Sequence, residues 1–360
     1  MRFIKLLLKI IGVLVLVAGL GTLYVLNRGG AFRKMEPHFA GNCESLPLAA
    51  SAEDMTVDRE RGFVYISHLD RQALIKGEGK LPGSVQGTIM RLDLNDVPLK
   101  LEDALLDRPA HLRTHGLSLY IDAAGKRSLF VINHPLNRGT GPELVEVFDE
   151  VLPGQFRHRE TFGSPLFNSP NDMAAVGPRQ FYVANDKVLT GGLAAGLQQL
   201  GIGASPLTYF DGTGARVVLG DIASGGGMNV SADGNTLYVS ETSAQRVRVL
   251  ERNPADGSVT EKARIALPTS PDNVDVAEDG SLWVTGHANT VKLIQHFISG
   301  KPAPTQVLRV VPDNNGGAAI EEVYLNAGEQ ISAGSVGVTY GKKLLIGSIT
   351  ARQILVCEMT

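Results

Sequence analysis

Cysteine is scarce in this sequence, and neither sign of charge is in excess. Two cysteines in 360 residues are too few for a disulfide-rich scaffold or for a zinc site with four thiolate ligands. The chain has 34 Lys and Arg residues against 37 Asp and Glu residues, a net charge of −3. This balance argues against a nucleic-acid partner, because such a protein needs a basic surface to neutralise phosphates. A hydrophobic fraction of 43% excludes a disordered chain.

Two common catalytic signatures are also missing. The sequence has no Gly-x-Ser-x-Gly segment, which argues against a serine hydrolase. It has no Gly-rich phosphate loop of the dinucleotide-binding or Walker type. A covalent serine mechanism and nucleotide chemistry are therefore not expected.

The N-terminal segment differs from the rest of the chain. Residues 6–26 are apolar apart from Lys9 and Thr22, and a run of this length is enough to cross a bilayer as a helix. Arg2 and Lys5 precede the run, so the N-terminus is expected to stay in the cytoplasm. The run predicts a transmembrane or signal-anchor helix.

A cleaved signal peptide is the alternative interpretation of this segment. It would end in a small-x-small cleavage site, and no convincing one precedes Asn27. We expect a signal-anchor helix at residues 1–30 and an exported domain at residues 31–360. That domain would face the periplasm or the extracellular side, and it would be secreted if the N-terminus were cleaved.

The two cysteines fit an exported domain. Cys43 opens the domain and Cys357 lies three residues from the end of the chain. In an oxidising compartment they could form a disulfide that ties the chain ends together. The alternative is a pair of buried free thiols.

A repeat organises the exported part of the chain. An apolar strand, a polar turn and a second strand rich in Val, Ile, Tyr, Phe or Leu recur six times, starting 45 to 61 residues apart. The turns carry Asp-Gly, Gly-Lys or Gly-Pro, as tight strand connections require. The six copies begin at Met55, Gly116, Asp172, Met228, Asn273 and Gly334. Further strands are expected between them at residues 88–94, 144–148, 246–252, 291–297 and 307–311.

About four strands in each of six repeats predict an all-β fold, a six-bladed β-propeller. Such a ring closes by pairing the first and last strands, and a Cys43–Cys357 bridge would lock that closure. One apolar insertion, residues 187–207, has a helical pattern. It is either a packed loop with a short helix or a lid over the top face that touches the membrane.

Polar residues recur at equivalent places in the repeats. The start of each innermost strand of a propeller points into the central channel, so these side chains should converge there. Their carboxylates and amides suit a hard cation such as Ca²⁺, although any single pair could be turn chemistry. The residues at these places are Glu53, Asp54, His115, Gly116, Asn171, Asp172, Gly226, Gly227, Asp272, Asn273, Ala333 and Gly334.

Two histidines belong to the same repeat. His115 begins its inner strand and His134 ends the next strand, so antiparallel pairing would bring the two rings together. One imidazole could then polarise the other, and a neutral histidine is the usual general base near pH 7. The alternative is two unrelated histidines.

These segments together resemble the paraoxonase (serum arylesterase/lactonase) family of six-bladed propellers. The resemblance runs from about Cys43 to Cys357, and the combination of segments is more specific than any one of them. More distant relatives with this architecture are gluconolactonase/regucalcin-like and strictosidine-synthase-like proteins. The matching segments are residues 52–55, 114–122, 131–135, 169–187, 229–241, 271–276, 342–348 and 356–358.

The resemblance implies two calcium ions in the channel and a histidine dyad that activates water. By position, the ligands of the catalytic ion would be Glu53, Asn171, Asp272 and Asn273. The ligands of a deeper structural ion would be the side chains of Asp54 and Asp172 and the backbone carbonyl of Leu117. The dyad would be His115 and His134, with Asp186 as a proton shuttle and His287 in the pocket wall.

One departure from the family pattern concerns the catalytic ion. The family places a calcium-binding Asn where this chain has Gly226, and glycine supplies no side-chain oxygen. Water, a shifted backbone carbonyl or the pocket residue Asn229 could compensate, and the pocket could be reshaped for another substrate.

The sequence therefore predicts a membrane-anchored, calcium-dependent hydrolase of lactones and aryl esters. Its partners would be a small-molecule substrate and the membrane. A non-catalytic propeller that binds a ligand or protein is the first alternative, and Gly226 favours it. A strictosidine-synthase-like or gluconolactonase-like enzyme is the second.

Overall fold

The computed structural model describes residues 2–77, 85–135, 141–187, 198, 200–313 and 315–360. Strands dominate the described chain. The helices are α1 (Arg2–Arg28), α2 (Arg71–Ile75) and α3 (Thr290–Ser299).

The strands follow one another with short connections. The first ten are β1 (His38–Phe39), β2 (Gly41–Pro47), β3 (Ser51–Asp58), β4 (Phe63–Leu69), β5 (Thr88–Asp93), β6 (Leu101–Asp103), β7 (Thr114–Ile121), β8 (Arg127–Asn133), β9 (Leu144–Leu152) and β10 (Gln155–Gly163). The next eight are β11 (Pro170–Ala175), β12 (Phe181–Asn185), β13 (Ser205–Phe210), β14 (Ala215–Ile222), β15 (Gly225–Val230), β16 (Thr236–Glu241), β17 (Arg246–Arg252) and β18 (Val259–Ala266). The last seven are β19 (Ser270–Val276), β20 (Leu282–His287), β21 (Thr305–Pro312), β22 (Ala318–Asn326), β23 (Gly334–Tyr340), β24 (Lys343–Ser348) and β25 (Gln353–Met359).

These strands form the six blades that the repeat predicted. Blades 1 to 5 are the antiparallel sets β3–β6, β7–β10, β11–β14, β15–β18 and β19–β22, with β1 added beside β22. Blade 6 is β23, β24, β25 and β2. The first strand of each blade contacts the first strand of the next, so β3, β7, β11, β15, β19 and β23 form a closed inner ring.

The ring is closed by strands from the two ends of the chain. β2 pairs antiparallel with β25 and places Cys43 directly opposite Cys357. The two cysteines form a disulfide, with their Cα atoms 3.9 Å apart. The predicted bridge is therefore confirmed, and it fixes the outer edge of blade 6.

The hydrophobic core is divided among the gaps between blades. Phe130 and Val147 of blade 2 pack with Phe181 of blade 3. Ile66 of blade 1 packs with Val338 of blade 6, and comparable clusters occupy the other four gaps. Central strands such as β8 and β12 are buried along their whole length, because both faces of a blade pack against neighbouring blades.

A β-bulge interrupts each inner strand at the place where the polar residues lie. In blade 1 the pairing of β3 with β4 skips from Ala52 to Met55, so Glu53 and Asp54 lie in the bulge. The inner strand also carries one extra residue at this place in the other five blades, with two residues skipped in blades 2, 4 and 5 and one in blades 3 and 6. A bulge bends the strand and redirects its side chains, which explains why consecutive residues can both serve the channel.

Two predicted elements need correction. Residues 291–297 were expected to form a strand, but they lie in α3. The Asn289 side chain accepts a hydrogen bond from the backbone N–H of Lys292, and Gly300 ends the helix in the left-handed conformation. A short apolar run is compatible with either a helix or a strand. The two caps favour the helix.

The predicted insertion at residues 187–207 is only partly described. Residues 188–197 and 199 lie outside the described part of the chain. From Ser205 onward the segment belongs to β13, so its C-terminal end is a strand and not a loop or helix.

The N-terminal helix ends against the propeller. Within α1, residues Phe3–Arg28 are long and apolar enough to cross a membrane, a test that a signal sequence also passes. Just after the helix, the carbonyl of Gly29 accepts a hydrogen bond from the N–H of Thr290 at 2.9 Å. The carbonyl of Gly30 accepts one from the Asn289 side chain, also at 2.9 Å. The apolar helix therefore meets the propeller at α3.

Candidate active site

A cavity of about 750 Å³ opens into the central channel. Its polar lining includes Glu53, His115, Asn171 and Asp272, which come from four different blades. The apolar lining comes mainly from α2, α3 and neighbouring loops: Leu69, Leu74, Ile75, Leu293, Phe297 and Ile349. The cavity therefore combines an apolar wall with a small polar group, as small-molecule sites usually do.

The two predicted histidines are in contact. Nδ1 of His115 lies 2.6 Å from Nε2 of His134, and the two rings meet edge to face. His115 is the second residue of β7 and His134 follows the end of β8, so antiparallel pairing brings them together as the sequence predicted. One of these nitrogens must donate and the other accept.

The sequence did not reveal Glu143, which contacts the other ring nitrogen of His134. Oε2 of Glu143 lies 2.5 Å from Nδ1 of His134, and Glu143 is buried. The two residues are separated by a loop of which residues 136–140 lie outside the described chain. No spacing rule connects a glutamate to a histidine across such a loop.

Glu53 is held in its charged form. Burial alone would raise its pKa, but His115 and Arg71 outweigh burial and lower the pKa of Glu53 to about 2. Nε2 of His115 lies 3.3 Å from Oε2 of Glu53, and Nη2 of Arg71 lies 3.5 Å from the same atom. Arg71 is the second residue that the sequence did not reveal.

Several buried oxygens around the channel have no hydrogen-bond partner among the described residues. They are the Oδ1 atoms of Asn171, Asp186 and Asn273, and Oε2 of Glu53, whose contacts with His115 and Arg71 are ion pairs and not hydrogen bonds. Buried oxygens without donors are costly, and a hard cation would satisfy them. Three of the four belong to the ligand set that the resemblance implies, so these residues fit calcium. In the described ranges, no three or more His, Cys, Asp or Glu side chains form a cluster that could hold a metal. Two of the four oxygens belong instead to asparagine side chains, Asn171 and Asn273.

Asp54 and Asp172 form a second, deeper pair. The carboxylate of Asp54 accepts hydrogen bonds from the backbone N–H groups of Met55 and Leu117, both at 2.8 Å. Burial, and then the nearby charges of Asp172 and Glu53, raises the pKa of Asp54 well above its ordinary value. Burial also raises the pKa of Asp172. No cationic side chain pairs with either one in the described structure, and a bound cation would supply the missing positive charge.

Asp272 contacts the predicted wall histidine. Its Oδ2 lies 3.0 Å from Nε2 of His287, and both residues are buried. Burial raises the pKa of Asp272, and the hydrogen bond with His287 opposes that shift. Asp186 also lines the cavity, and its backbone carbonyl accepts hydrogen bonds from Gln198 and Ser224.

The inner strand of blade 4 contributes no side chain at the equivalent place. A Cβ atom at Gly226 would lie 2.8 Å from Oγ1 of Thr242, the residue that follows β16, so a threonine hydroxyl borders that space. Asn229 does not line the cavity; its Nδ2 donates to the carbonyl of Val274 at 3.1 Å, and its Oδ1 accepts from the N–H of Val230. Asn229 therefore helps to join blades 4 and 5.

A family model described as Arylesterase matches residues 75–359. The chain belongs to the arylesterase family. This agrees with the expectation from the sequence segments, and it assigns the chain to the ester hydrolases.

Curated relatives cover almost the full length. The chain is 30% identical to serum paraoxonase/arylesterase 2 of Bos taurus, over 91% of this chain and 92% of the relative. It is 29% identical to serum paraoxonase/arylesterase 1 of Homo sapiens, over 92% and 93%.

Solved structures with low sequence identity support the fold alone. The major Malassezia sympodialis allergen Mala s 1 is similar with a TM-score of 0.56 at 13% identity, covering 87% of this chain and 95% of that one. A luciferin-regenerating enzyme is similar with a TM-score of 0.53 at 12% identity, covering 89% and 97%. The propeller architecture is thus shared more widely than the sequence.

Proposed function

We propose that this chain is a calcium-dependent hydrolase of lactones and aryl esters, held at a membrane by α1 and facing the periplasm or the extracellular side. The observation that carries the proposal is that one cavity contains both the His115–His134 pair and buried oxygens with no hydrogen-bond partner among the described residues. Membership of the arylesterase family supports the reaction class.

We assign the oxygen atoms around the channel to two proposed calcium sites. The catalytic site would use Glu53, Asn171, Asp272 and Asn273. The structural site would use the side chains of Asp54 and Asp172 and the carbonyl of Leu117. When bound, a catalytic calcium ion would polarise the carbonyl group of the substrate and stabilise the negative charge that develops on its oxygen.

His115 is the proposed general base. Its Nδ1 is engaged by His134, so Nε2 is the atom that accepts the proton of the attacking water. The water oxygen bonds to the carbonyl carbon, the bond from that carbon to the ester oxygen breaks, and the leaving oxygen takes up the proton that His115 accepted. We propose that Asp186, whose Oδ1 has no hydrogen-bond partner among the described residues, shuttles this proton.

The apolar wall defines the rest of the substrate. Leu74 of α2 and Phe297 of α3 line the same cavity as the polar residues. An aryl ring or an alkyl chain would be stabilised there by removal of apolar surface from water.

The test uses the full-length chain in detergent with a panel of lactones and aryl esters. We expect turnover that disappears with excess chelator, returns with calcium and is lost in His115→Gln. His111→Gln is the matched control, because His111 is exposed and does not line this cavity. Turnover that survives both the chelator and His115→Gln would refute the mechanism. No turnover, with a melting temperature that still rises with calcium, would leave only the structural ion.

A further inference from the structure

Glu143 is a buried acid that the proposed mechanism does not yet use. It lies just before β9 and is only 4% exposed. Its Oε2 contacts Nδ1 of His134 at 2.5 Å, while Nε2 of His134 faces His115. His134 is therefore held between a carboxylate and a second imidazole.

We propose that Glu143 is a positioning residue that sets the tautomer of His134 and completes a relay of three groups, Glu143–His134–His115. The inference rests on the proposed hydrolase function, because the relay matters only if His115 accepts a proton during turnover.

The hydrogen-bond inventory of Glu143 and His134 assigns the hydrogen that lies between them. An ionised carboxylate can only accept hydrogen bonds, so Nδ1 of His134 must carry a hydrogen. A neutral His134 then has its lone pair on Nε2, which accepts from Nδ1–H of His115. A neutral His115 then keeps its lone pair on Nε2, and once Nε2 is protonated it can donate to the carboxylate of Glu53, whose Oε2 lies 3.3 Å away. Glu143 thus determines, through His134, which nitrogen of His115 is basic.

The carboxylate also stabilises charge. When His115 takes a proton from water, a positive charge develops on the coupled imidazoles. A buried carboxylate in contact with one of them favours that charge, because the interaction is not screened by solvent. A carboxylate behind a catalytic histidine contributes in the same two ways in the serine protease triad.

Nearby groups hold the local backbone without Glu143. Oδ1 of Asn133 accepts from the N–H of Arg113, and Nδ2 of Asn133 donates to Glu146. The N–H of His134 donates to the carbonyl of Arg113. The end of β8 is therefore fixed by main-chain bonds and by Glu146, so a conservative change at Glu143 should leave the fold intact.

The kinetic test compares Glu143→Gln with Glu146→Gln in the full-length protein. Both glutamates are buried in blade 2, but Glu146 contacts Asn133 and His158 and not His134. We expect Glu143→Gln to lower kcat by about 10²- to 10⁴-fold with little change in KM, and Glu143→Asp to recover part of the loss. Glu146→Gln should keep most of the activity. An unchanged kcat in Glu143→Gln would overturn the proposal.

A spectroscopic test does not depend on turnover. In protein labelled with ¹⁵N at histidine, His134 should show the tautomer with hydrogen on Nδ1, its signals being assigned by their loss in His134→Gln. Glu143→Gln should change that tautomer balance, while Glu146→Gln should not. An unchanged His134 spectrum in Glu143→Gln would overturn the proposal even if activity fell. If wild-type protein hydrolyses no ester or lactone, the proposed function fails, and this spectrum still decides whether Glu143 controls His134.

Discussion

The carboxylate of Asp54 in blade 1 accepts a 2.8 Å hydrogen bond from the backbone N–H of Leu117 in blade 2. Asp172 in blade 3 accepts the equivalent hydrogen bond from the backbone N–H of Met228 in blade 4, at 2.6 Å. Residues proposed to bind the deeper ion therefore also join neighbouring inner strands. Cation binding and propeller stability should be linked through these two side chains.

The first prediction tests that link with Asp54→Asn. An amide has only one oxygen, so the variant loses one of the two backbone hydrogen bonds that the carboxylate accepts, and the buried charge is also removed. Added calcium should stabilise the wild type by more than the variant, because binding to the folded state raises the melting temperature. Asp172→Asn should behave in the same way. Equal calcium-induced shifts in wild type and both variants would contradict the structural site.

The second prediction concerns the missing amide at Gly226. Gly226→Asn should destabilise the protein by about 1–3 kcal/mol, because its Cβ would lie 2.8 Å from Oγ1 of Thr242. Adding Thr242→Ala should relieve the clash and, if the asparagine oxygen reaches the channel, tighten calcium binding. Calorimetric calcium titration and melting temperature are the measurements. Gly220→Asn is the control, since a Cβ there meets nothing within 4 Å. Equal stability of Gly226→Asn and Gly220→Asn would show that Thr242 is not in the way.

Features encoded by local sequence could be predicted well. The Asp-Gly turns are an example: the side chain of Asp233 accepts from the N–H of Asn235, and that of Asp279 accepts from the N–H of Ser281. Each turn is built by residues two apart, so it is visible in the sequence and repeats with the blades. The channel residues could be placed because that repeat aligns them.

Features built by packing between distant segments could not be predicted. Arg71 reaches Glu53 from α2, a helix of five residues between two strands, and Glu143 reaches His134 across a loop. Neither contact leaves a periodic signal. The apolar run of α3 was ambiguous for another reason, because its caps, Asn289 and Gly300, are also ordinary loop residues.

The third prediction concerns the disulfide. Replacing Cys43 and Cys357 together by Ser should lower the free energy of unfolding by about 2–5 kcal/mol, because the bridge constrains the unfolded chain over a separation of 314 residues. Urea unfolding monitored by the single tryptophan would measure it. Reduced wild-type protein should show a similar loss. An unchanged midpoint in both samples would mean that the pairing of β2 with β25 closes the ring unaided.

The fourth prediction is a pH dependence outside the active site. Hydrogen bonds from the Ser281 side chain and backbone, aided by Arg309, lower the pKa of Asp279 to about 2. Because this folded-state pKa lies below the ordinary value, the stabilisation is present above about pH 4 and is lost as the pH falls towards 2. Asp279 is partly exposed, so the effect should stay below about 1 kcal/mol. The melting temperatures of wild type and Asp279→Asn should differ at pH 6 and converge near pH 2; a constant difference would contradict this assignment.

The fifth prediction concerns the guanidinium beside the proposed catalytic calcium site. Nη2 of Arg71 lies 3.5 Å from Oε2 of Glu53, and Arg71 also donates to the carbonyl of Thr114 at 2.6 Å. A cation that binds Glu53 must share the carboxylate with this positive charge. Arg71→Gln should therefore raise calcium affinity by roughly tenfold or more, since a charge at this distance shifts the ionisation of a neighbour by one unit or more.

Calorimetry on the full-length protein would measure this affinity. Arg113→Gln is the matched control, because Arg113 lines the same cavity and has no ion pair with Glu53 in the described structure. A rise in affinity only in Arg71→Gln would mean that Arg71 competes with the ion for Glu53. A fall would mean the reverse: the guanidinium holds the carboxylate in its binding orientation, and the Arg71–Glu53 pair is part of the site's preorganisation.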